Sequence, residues 1–381
     1  MKRAGAVQTL LPQRYSPDAS CRFRSVVQPL ATVNEVPAAA WDDLTANASE
    51  PNVFAERWFM AASTHLKQAE NVRLLQLWNG DRLVALLPLC IVPRYGRLGV
   101  AHVENWLHYH SFLGTPLIRA GQERTIWTAI LASLDAADWP RGFLHLKGLV
   151  EDGPVHRGLA EATTAMSRRC DTVHRIRRAM LQSSLSPEAY YAATVRKKKR
   201  KELKRVQARL AELGPVTARR LDDPAQLQFW CDDFLALECS GWKGRAGSAL
   251  ASDQATEHFF RDAVTGAHRA GRLEMLRLDL GTRPLAMLVN FMAPPGAFSF
   301  KIAFDEEHAR FSPGVLVQLE NLTILTRDDV DWMDSCAVED HPMINRLWGE
   351  RRSIIRVSLP LGGRSRGALF TAVRAAEDGF A

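Results

Sequence analysis

The segment Phe298–Asn321, FSFKIAFDEEHARFSPGVLVQLEN, decides how this chain is read. It predicts a strand, a short polar loop and a helix. Alternation sets Phe298, Phe300, Ile302 and Phe304 on one face of the strand, with Ser299, Lys301, Ala303 and Asp305 on the other. Ser312 then reads as the N-cap, Pro313 as the first helical residue, and Val315, Leu316, Leu319 and Leu322 as an apolar stripe. A strand that runs into a helix N-terminus, with Arg310 just before it, predicts a phosphate site. Unpaired N–H groups and the positive end of the helix dipole converge there.

Two further segments extend the pattern: Phe234–Leu250, FLALECSGWKGRAGSAL, upstream, and Val330–Arg352, VDWMDSCAVEDHPMINRLWGERR, downstream. In this order the three resemble the acyl-CoA-dependent N-acyltransferases of the GNAT superfamily. More narrowly, they resemble its tandem-domain group, which includes CelD-like proteins of polysaccharide biosynthesis and, more distantly, FemAB-type aminoacyl transferases. The resemblance rests on Leu-Glu-x-x-Gly-Trp-Lys-Gly, on Phe-Asp-x-x-x-Ala-x-x-Ser-Pro-Gly, and on an Asp followed by Leu-Trp-x-x-Arg-Arg. It spans residues 190–356. It implies a mixed α/β fold of two tandem GNAT-like domains, each a mixed sheet flanked by helices.

At 381 residues the chain has room for two ordinary domains, and 46% hydrophobic with 24% charged residues is a globular composition. No segment reaches the run of about 20 apolar residues that a membrane-spanning helix needs. The start, MKRAGAVQTLLPQRYSPD, lacks the apolar core of a signal peptide. Cys21, Cys90, Cys170, Cys231, Cys239 and Cys336 are scattered without the close pairs of a zinc site, so no metal is expected. These features predict a cytoplasmic protein with reduced thiols. The formal charge of +7 is concentrated in residues 196–209, RKKKRKELKRVQAR, which hold nine Lys or Arg and one Glu. The remainder is close to neutral.

An internal repeat supports the tandem reading. Val72–Cys90, VRLLQLWNGDRLVALLPLC, aligns with Leu273–Phe291, LEMLRLDLGTRPLAMLVNF, at an offset of 201 residues. Each predicts a β-hairpin around a glycine turn. Trp58-Phe59 and Phe259-Phe260 precede the hairpins at the same offset. The expected organisation is an N-terminal domain over 1–180, a basic helical arm over 186–214 opened by Ser186-Pro187, and an acyl-CoA-binding domain over 215–381. The first half lacks an Arg-x-x-Pro-Gly helix entry and is expected to be degenerate, forming one wall of a cleft. Its His108 and His110, two apart, would share one side of a strand as cleft-lining, substrate-binding residues. Without a third ligand nearby they make a weak metal site. The basic arm is expected to be a solvated helix or to meet an anionic ligand or the inner face of a membrane. tRNA ranks lower and DNA is not expected.

Amine acylation by a thioester needs a base for the amine and a donor for the carbonyl oxygen, but no enzyme nucleophile. The resemblance implies that acyl-CoA is the co-substrate, that its pantetheine lies along Phe298–Asp305, including Phe304 and Asp305, and that its pyrophosphate meets Arg310, Phe311, Ser312 and Gly314. Pro313 departs from the glycine-rich pattern of the superfamily and removes one N–H. Lys301, costly to bury unpaired, needs a carboxylate from Glu238, Asp305 or Asp334, or a place facing the cleft. Trp242 and Lys243, between Gly241 and Gly244, are expected to contact substrate. For the general base, His341 ranks ahead of Glu238, with Asp334 and Lys301 completing the catalytic set. The implied acceptor is an amino sugar, an envelope precursor or a long-chain amine such as a sphingoid base. The rivals are a FemAB-type ligase using aminoacyl-tRNA and a non-catalytic subunit of an exopolysaccharide complex.

Overall fold

Apolar runs, several of them buried on both faces, and turn glycines produce thirteen strands among the described residues, hydrogen-bonded into one mixed sheet. A computed structural model describes residues 23–378; Cys21 and the N-terminal segment read above lie outside the described residues. The strands are β1 (Phe23–Pro29), β2 (Arg73–Asn79), β3 (Arg82–Val92), β4 (His102–Asn105), β5 (Leu117–Ile118), β6 (Phe143–Val150), β7 (Asp171–Leu181), β8 (Val216–Arg220), β9 (Leu273–Leu280), β10 (Arg283–Ala293), β11 (Gly296–Phe304), β12 (Trp332–Asp334) and β13 (Glu350–Pro360). The helices are α1 (Ala38–Ala46), α2 (Arg57–Ser63), α3 (Glu123–Ala136), α4 (Pro154–Ala165), α5 (Pro187–Thr194), α6 (Lys197–Ala211), α7 (Leu227–Ser240), α8 (Trp242–Arg245), α9 (Gln254–Arg269), α10 (Pro313–Glu320) and α11 (Arg364–Asp378).

The sheet order is β1-β2-β3-β4-β6-β13-β7-β12-β11-β10-β9-β8, with β5 added beside β3. The repeated segments form the antiparallel hairpins β2–β3 and β9–β10, turning at Gly80 (φ 57°) and Gly281 (φ 62°). In each half the strand after the hairpin also has a parallel neighbour, β4 with β6 and β11 with β12. The closing strands are exchanged: β7 pairs with β12 of the second half, and β13 pairs with β6 of the first. The two closing strands also pair with each other. Separating the halves would therefore tear hydrogen-bonded strands apart as well as the apolar contacts between them.

Aromatic packing fills the seam. Phe54 and Phe59 from the first half meet Phe259, Phe291, Phe298 and Phe300 from the second in one buried cluster. The basic arm is two helices. Ser186 caps α5 by accepting from the Ala189 N–H (3.2 Å), as expected, but extended backbone at Val195 breaks the arm before α6. No helix of the described residues is long and apolar enough to cross a membrane.

Candidate active site

β11 is the centre of the site, and a bulge decides where it points. Val289 of β10 lies opposite Lys301, whereas Asn290 lies opposite Ser299, so Phe300 is an extra residue. A bulge of this kind flips the facing of the residues that follow it. Phe298, Phe300 and Ala303 accordingly enter the central aromatic cluster, while Ile302 and Phe304 pack on the opposite face with Leu316 and Val317 of α10. This corrects the expectation that Phe298, Phe300, Ile302 and Phe304 share one face. It also aims Lys301 into the seam.

Along β11 only Gly296–Phe298 pairs with β12. From Ser299 to Phe304 the strand keeps β10 on one side and, among the described residues, has no strand on the other. The two strands diverge where the chain turns at Cys336 (φ 54°). Such an edge presents unpaired backbone donors and acceptors at alternate residues. Beside it the end of α7 and the turn into α8 form a narrow cavity of about 30 Å³. Glu238, Trp242, Lys243, Ile302, Ala303 and Phe304 are among its walls.

Among the described residues no carboxylate pairs with the Lys301 ammonium. Its Nζ lies 3.0 Å from His110 Nδ1, and 5.5–5.7 Å from the ring centres of Tyr109, Phe112 and Phe300. Of the two alternatives read from sequence, a carboxylate partner or a place facing the cleft, the carboxylate is not the one found. Burial first, then the charge of Lys243, lowers the Lys301 pKa to about 8, with Glu238 acting in the opposite direction. The histidine chain behind it has one consistent proton arrangement. Ser63 Oγ donates to the Phe59 carbonyl (2.7 Å) and therefore accepts from His108 Nε2 (3.1 Å). His108 Nδ1 then accepts from the His110 backbone N–H (3.2 Å). Burial brings the pKa of His108 to about 3 and of His110 to about 2, so both rings are neutral and His110 Nδ1 is an acceptor for Lys301. Neither histidine is on a strand, which corrects that part of the sequence reading; both are buried in the loop after β4.

That loop reaches the second half through the first half's own strand gap. Asn105 Nδ2 donates to the carbonyls of Gly114 (2.9 Å) and Lys147 (2.8 Å), and the Gly114 N–H donates to the Gly148 carbonyl (2.9 Å). A Cβ on Gly114 would stand 2.0 Å from the Lys147 carbonyl oxygen, so glycine is required for this approach. In the first half, the space beside β4 that matches the open edge of β11 is thus stitched shut.

Glu238 is buried. It accepts from Lys243 Nζ (2.6 Å) and from the Leu250 N–H (2.8 Å), which holds the loop over β11. Trp242 is exposed, and its backbone N–H donates to Glu306 (2.7 Å). Asp334 is fully buried. Its Oδ2 accepts from Arg178 (2.7 Å) and Arg352 (3.2 Å), and its Oδ1 from the Cys336 N–H (2.9 Å). The two guanidiniums hold the Asp334 carboxyl below its ordinary range against the opposing effect of burial. Arg178 also donates to the Phe112 carbonyl (2.6 Å), tying this network to the histidine loop. His341 is placed elsewhere: its Nδ1 lies 3.3 Å from the Ile344 N–H, and no hydrogen bond or ion pair joins it to the Lys301 cluster among the described residues.

The expected pyrophosphate residues differ in exposure and partners. Arg310 is exposed and stacked over Phe311 (4.7 Å). Ser312 precedes α10 in the left-handed conformation (φ 54°, ψ 49°), and its side chain makes no cap, in contrast to the sequence reading. Its carbonyl accepts from the N–H groups of Val315 (2.9 Å) and Leu316 (3.1 Å), and Gly314 is buried against Phe304, Ile302 and Met343. Asp305 accepts from the Glu307 N–H (2.9 Å) and pairs with Arg283 (2.9 Å) and His308 (3.0 Å). Asp305, Glu307 and His308 are close enough together to hold a cation, but Arg283 already pairs with both acids. A larger cavity, about 820 Å³ around Glu56, Trp58 and Arg272, shares no lining residue with the Lys301 cluster.

Sequence reasoning missed Ser63, Tyr109, Phe112 and Arg178. Each lies more than 100 residues from Lys301 or Asp334, so no local spacing signals it.

Residues 197–341 match the family model described as acetyltransferase (GNAT) domain. Comparison with curated proteins finds no match. Among solved structures, FemX superposes with a TM-score of 0.54 at 9% identity, covering 85% of this chain and 96% of that one. A conserved protein of unknown function from Bacteroides thetaiotaomicron gives 0.51 at 10% identity, covering 85% and 98%. A tandem GNAT protein from the clavulanic acid biosynthesis pathway gives 0.45 at 17% identity, covering 90% and 99%. At such identities, the first two likenesses concern the fold alone.

Proposed function

We propose that this chain, whose residues 197–341 match the acetyltransferase (GNAT) domain model, is a GNAT-superfamily N-acyltransferase that moves an acyl group from acyl-CoA to an amine. The observation that carries this reading is the open edge of β11 from Ser299 to Phe304, with Lys301 beside it. A pantetheine arm is an extended chain with two amides, and an unpaired strand edge is the surface that pairs with such a chain. The thioester carbon would then lie near Lys301, between the α7–α8 loop and the histidine loop. The first half, over 1–180, serves as a wall rather than as a second donor site. The acceptor class is an amino sugar, an envelope precursor or a long-chain amine.

Lys301 is the proposed general base. A neutral amine at a pKa of about 8 has one lone pair for the acceptor proton, while its N–H to His110 Nδ1 fixes its direction. Once protonated, it faces the aromatic rings of Tyr109, Phe112 and Phe300. The amine nitrogen attacks the thioester carbon as its proton passes to Lys301, the C–S bond breaks, and the departing thiolate takes up that proton to leave as CoA, restoring the neutral lysine. Glu238 holds the α7–α8 loop and raises the Lys301 pKa through its charge. Replacing it, Glu238→Gln, should move the acidic limb of the pH–rate profile to lower pH. An unmoved limb would dissociate Glu238 from the base.

Thermal unfolding tests the donor. At about 100 times its dissociation constant an acyl-CoA adds about 2.7 kcal/mol, which reads as a clear rise in melting temperature. No rise with acetyl-, medium-chain or long-chain CoA would overturn the reading. A second reading, transfer from an aminoacyl-tRNA, is supported by the exposed cations of α6. Retention of tRNA without any response to CoA would favour it.

A further inference from the structure

The N-terminus of α10 has little to offer a phosphate. Pro313 has no N–H, those of Val315 and Leu316 are taken by the Ser312 carbonyl, and Gly314 is buried. The donor's nucleotide therefore needs another cationic surface close to the same end of β11.

α6 supplies one. Its buried and half-buried face, Val206 and Leu210, shares a core with Phe311 and with Leu316 and Leu319 of α10, and the same core takes in Ile302 and Phe304 of β11. Between α5, α6 and the C-terminal end of α10 lies a groove of about 590 Å³ lined by Tyr191, Lys197, Arg200, Lys201, Lys204 and Leu319, among others. Lys197, Lys201 and Lys204 recur at helical spacing on one face, and all three are exposed. Among the described residues no acid pairs with any of the three; the one acid inside α6, Glu202, pairs with Lys199 (3.0 Å). Arg200 is engaged differently, donating to the Val195 carbonyl (2.9 Å) at the end of α5. The groove thus combines three unneutralised ammonium groups with an aromatic and an aliphatic wall, and its volume is that of a small-molecule site.

We infer that this groove binds the adenosine-phosphate end of the donor. Tyr191 and Leu319 would hold the base, and Lys197, Lys201 and Lys204 the phosphates. The inference rests on the acyl-CoA reading above and extends it, because it assigns the phosphate contacts to the basic helix instead of the α10 N-terminus.

The test is calorimetric titration of CoA, adenosine 3′,5′-bisphosphate and pantetheine into the wild-type chain and into a Lys201→Ala, Lys204→Ala double variant. Both lysines are exposed, so the fold should be retained, and unchanged circular dichroism and melting temperature would establish it. The expected result is roughly 10- to 100-fold weaker binding of CoA and of the bisphosphate, with pantetheine unaffected. The loss should shrink as salt is raised. Equal CoA affinity in wild type and double variant would overturn the assignment while leaving the acyl-CoA reading intact. No CoA binding by the wild type would sink both. Binding of tRNA or of anionic phosphatidylglycerol vesicles that depends on these lysines, with bisphosphate binding independent of them, would also overturn it.

Discussion

Lys301→Met is expected to lower acyl transfer by about 10²–10⁴-fold while making the protein more stable at neutral pH. The two effects have one cause. In the folded chain the Lys301 pKa is about 8, below the value of about 10.4 of an unfolded lysine. Below pH 8 both states carry the proton, and the folded state holds a charge in a desolvated aromatic seam at a cost. As pH rises from 8 toward 10.4 the folded lysine is already neutral, so that cost fades. Methionine keeps the length without the charge, so the gain should be on the order of 1–3 kcal/mol at pH 7 and vanish above about pH 10. Activity of the wild type should rise through pH 8 as the neutral amine forms. His341→Ala, measured alongside, should lose far less, because among the described residues no hydrogen bond or ion pair joins His341 to the cluster. A larger loss in His341→Ala than in Lys301→Met would transfer the base to His341.

Asp334→Asn should be the most destabilising single change in the molecule's centre, by about 3–5 kcal/mol. The carboxylate joins Arg178 of β7, Arg352 of β13 and the Cys336 N–H at the point where the exchanged strands meet β12. An amide cannot neutralise two buried guanidiniums. Because the folded pKa of Asp334 is depressed, its stabilisation is present above the unfolded value of about 3.9 and is lost as pH falls through the lower folded value. The difference in melting temperature between wild type and variant should therefore be constant at neutral pH and shrink only in strong acid. Activity measured well below the variant's melting temperature should be partly retained, since Asp334 acts by holding Phe112 and the histidine loop through Arg178. Complete loss of transfer by a fully folded variant would instead place Asp334 among the reacting groups.

Much of the second half was legible because its signals are local. Alternation marked β11, Pro313 marked the start of α10, and the repeat of glycine-turned hairpins marked the relation of the halves. The failures all involve distance or register. A single extra residue at Phe300 inverts the facing of everything after it, and no composition signal distinguishes a bulged strand from a regular one. Lys301 was flagged as needing a partner, yet that partner, His110, is 191 residues away on a loop held by Asn105 and Gly114. The exchange of β7 and β13 is likewise invisible, since each pairs with a strand far away in sequence from the other half. Ser312 was read as a cap from its residue type, while in its left-handed backbone conformation its side chain makes no cap.

The most direct measurement is release of free CoA from acyl-CoA, followed by mass spectrometry with a panel of amino-sugar, lysyl and long-chain amines. The account predicts equimolar CoA and acyl-amide, dependent on both protein and amine, with a rate that climbs through pH 8 and collapses in Lys301→Met. CoA release that ignores the amine, or transfer that survives Lys301→Met with an unchanged pH profile, would contradict it.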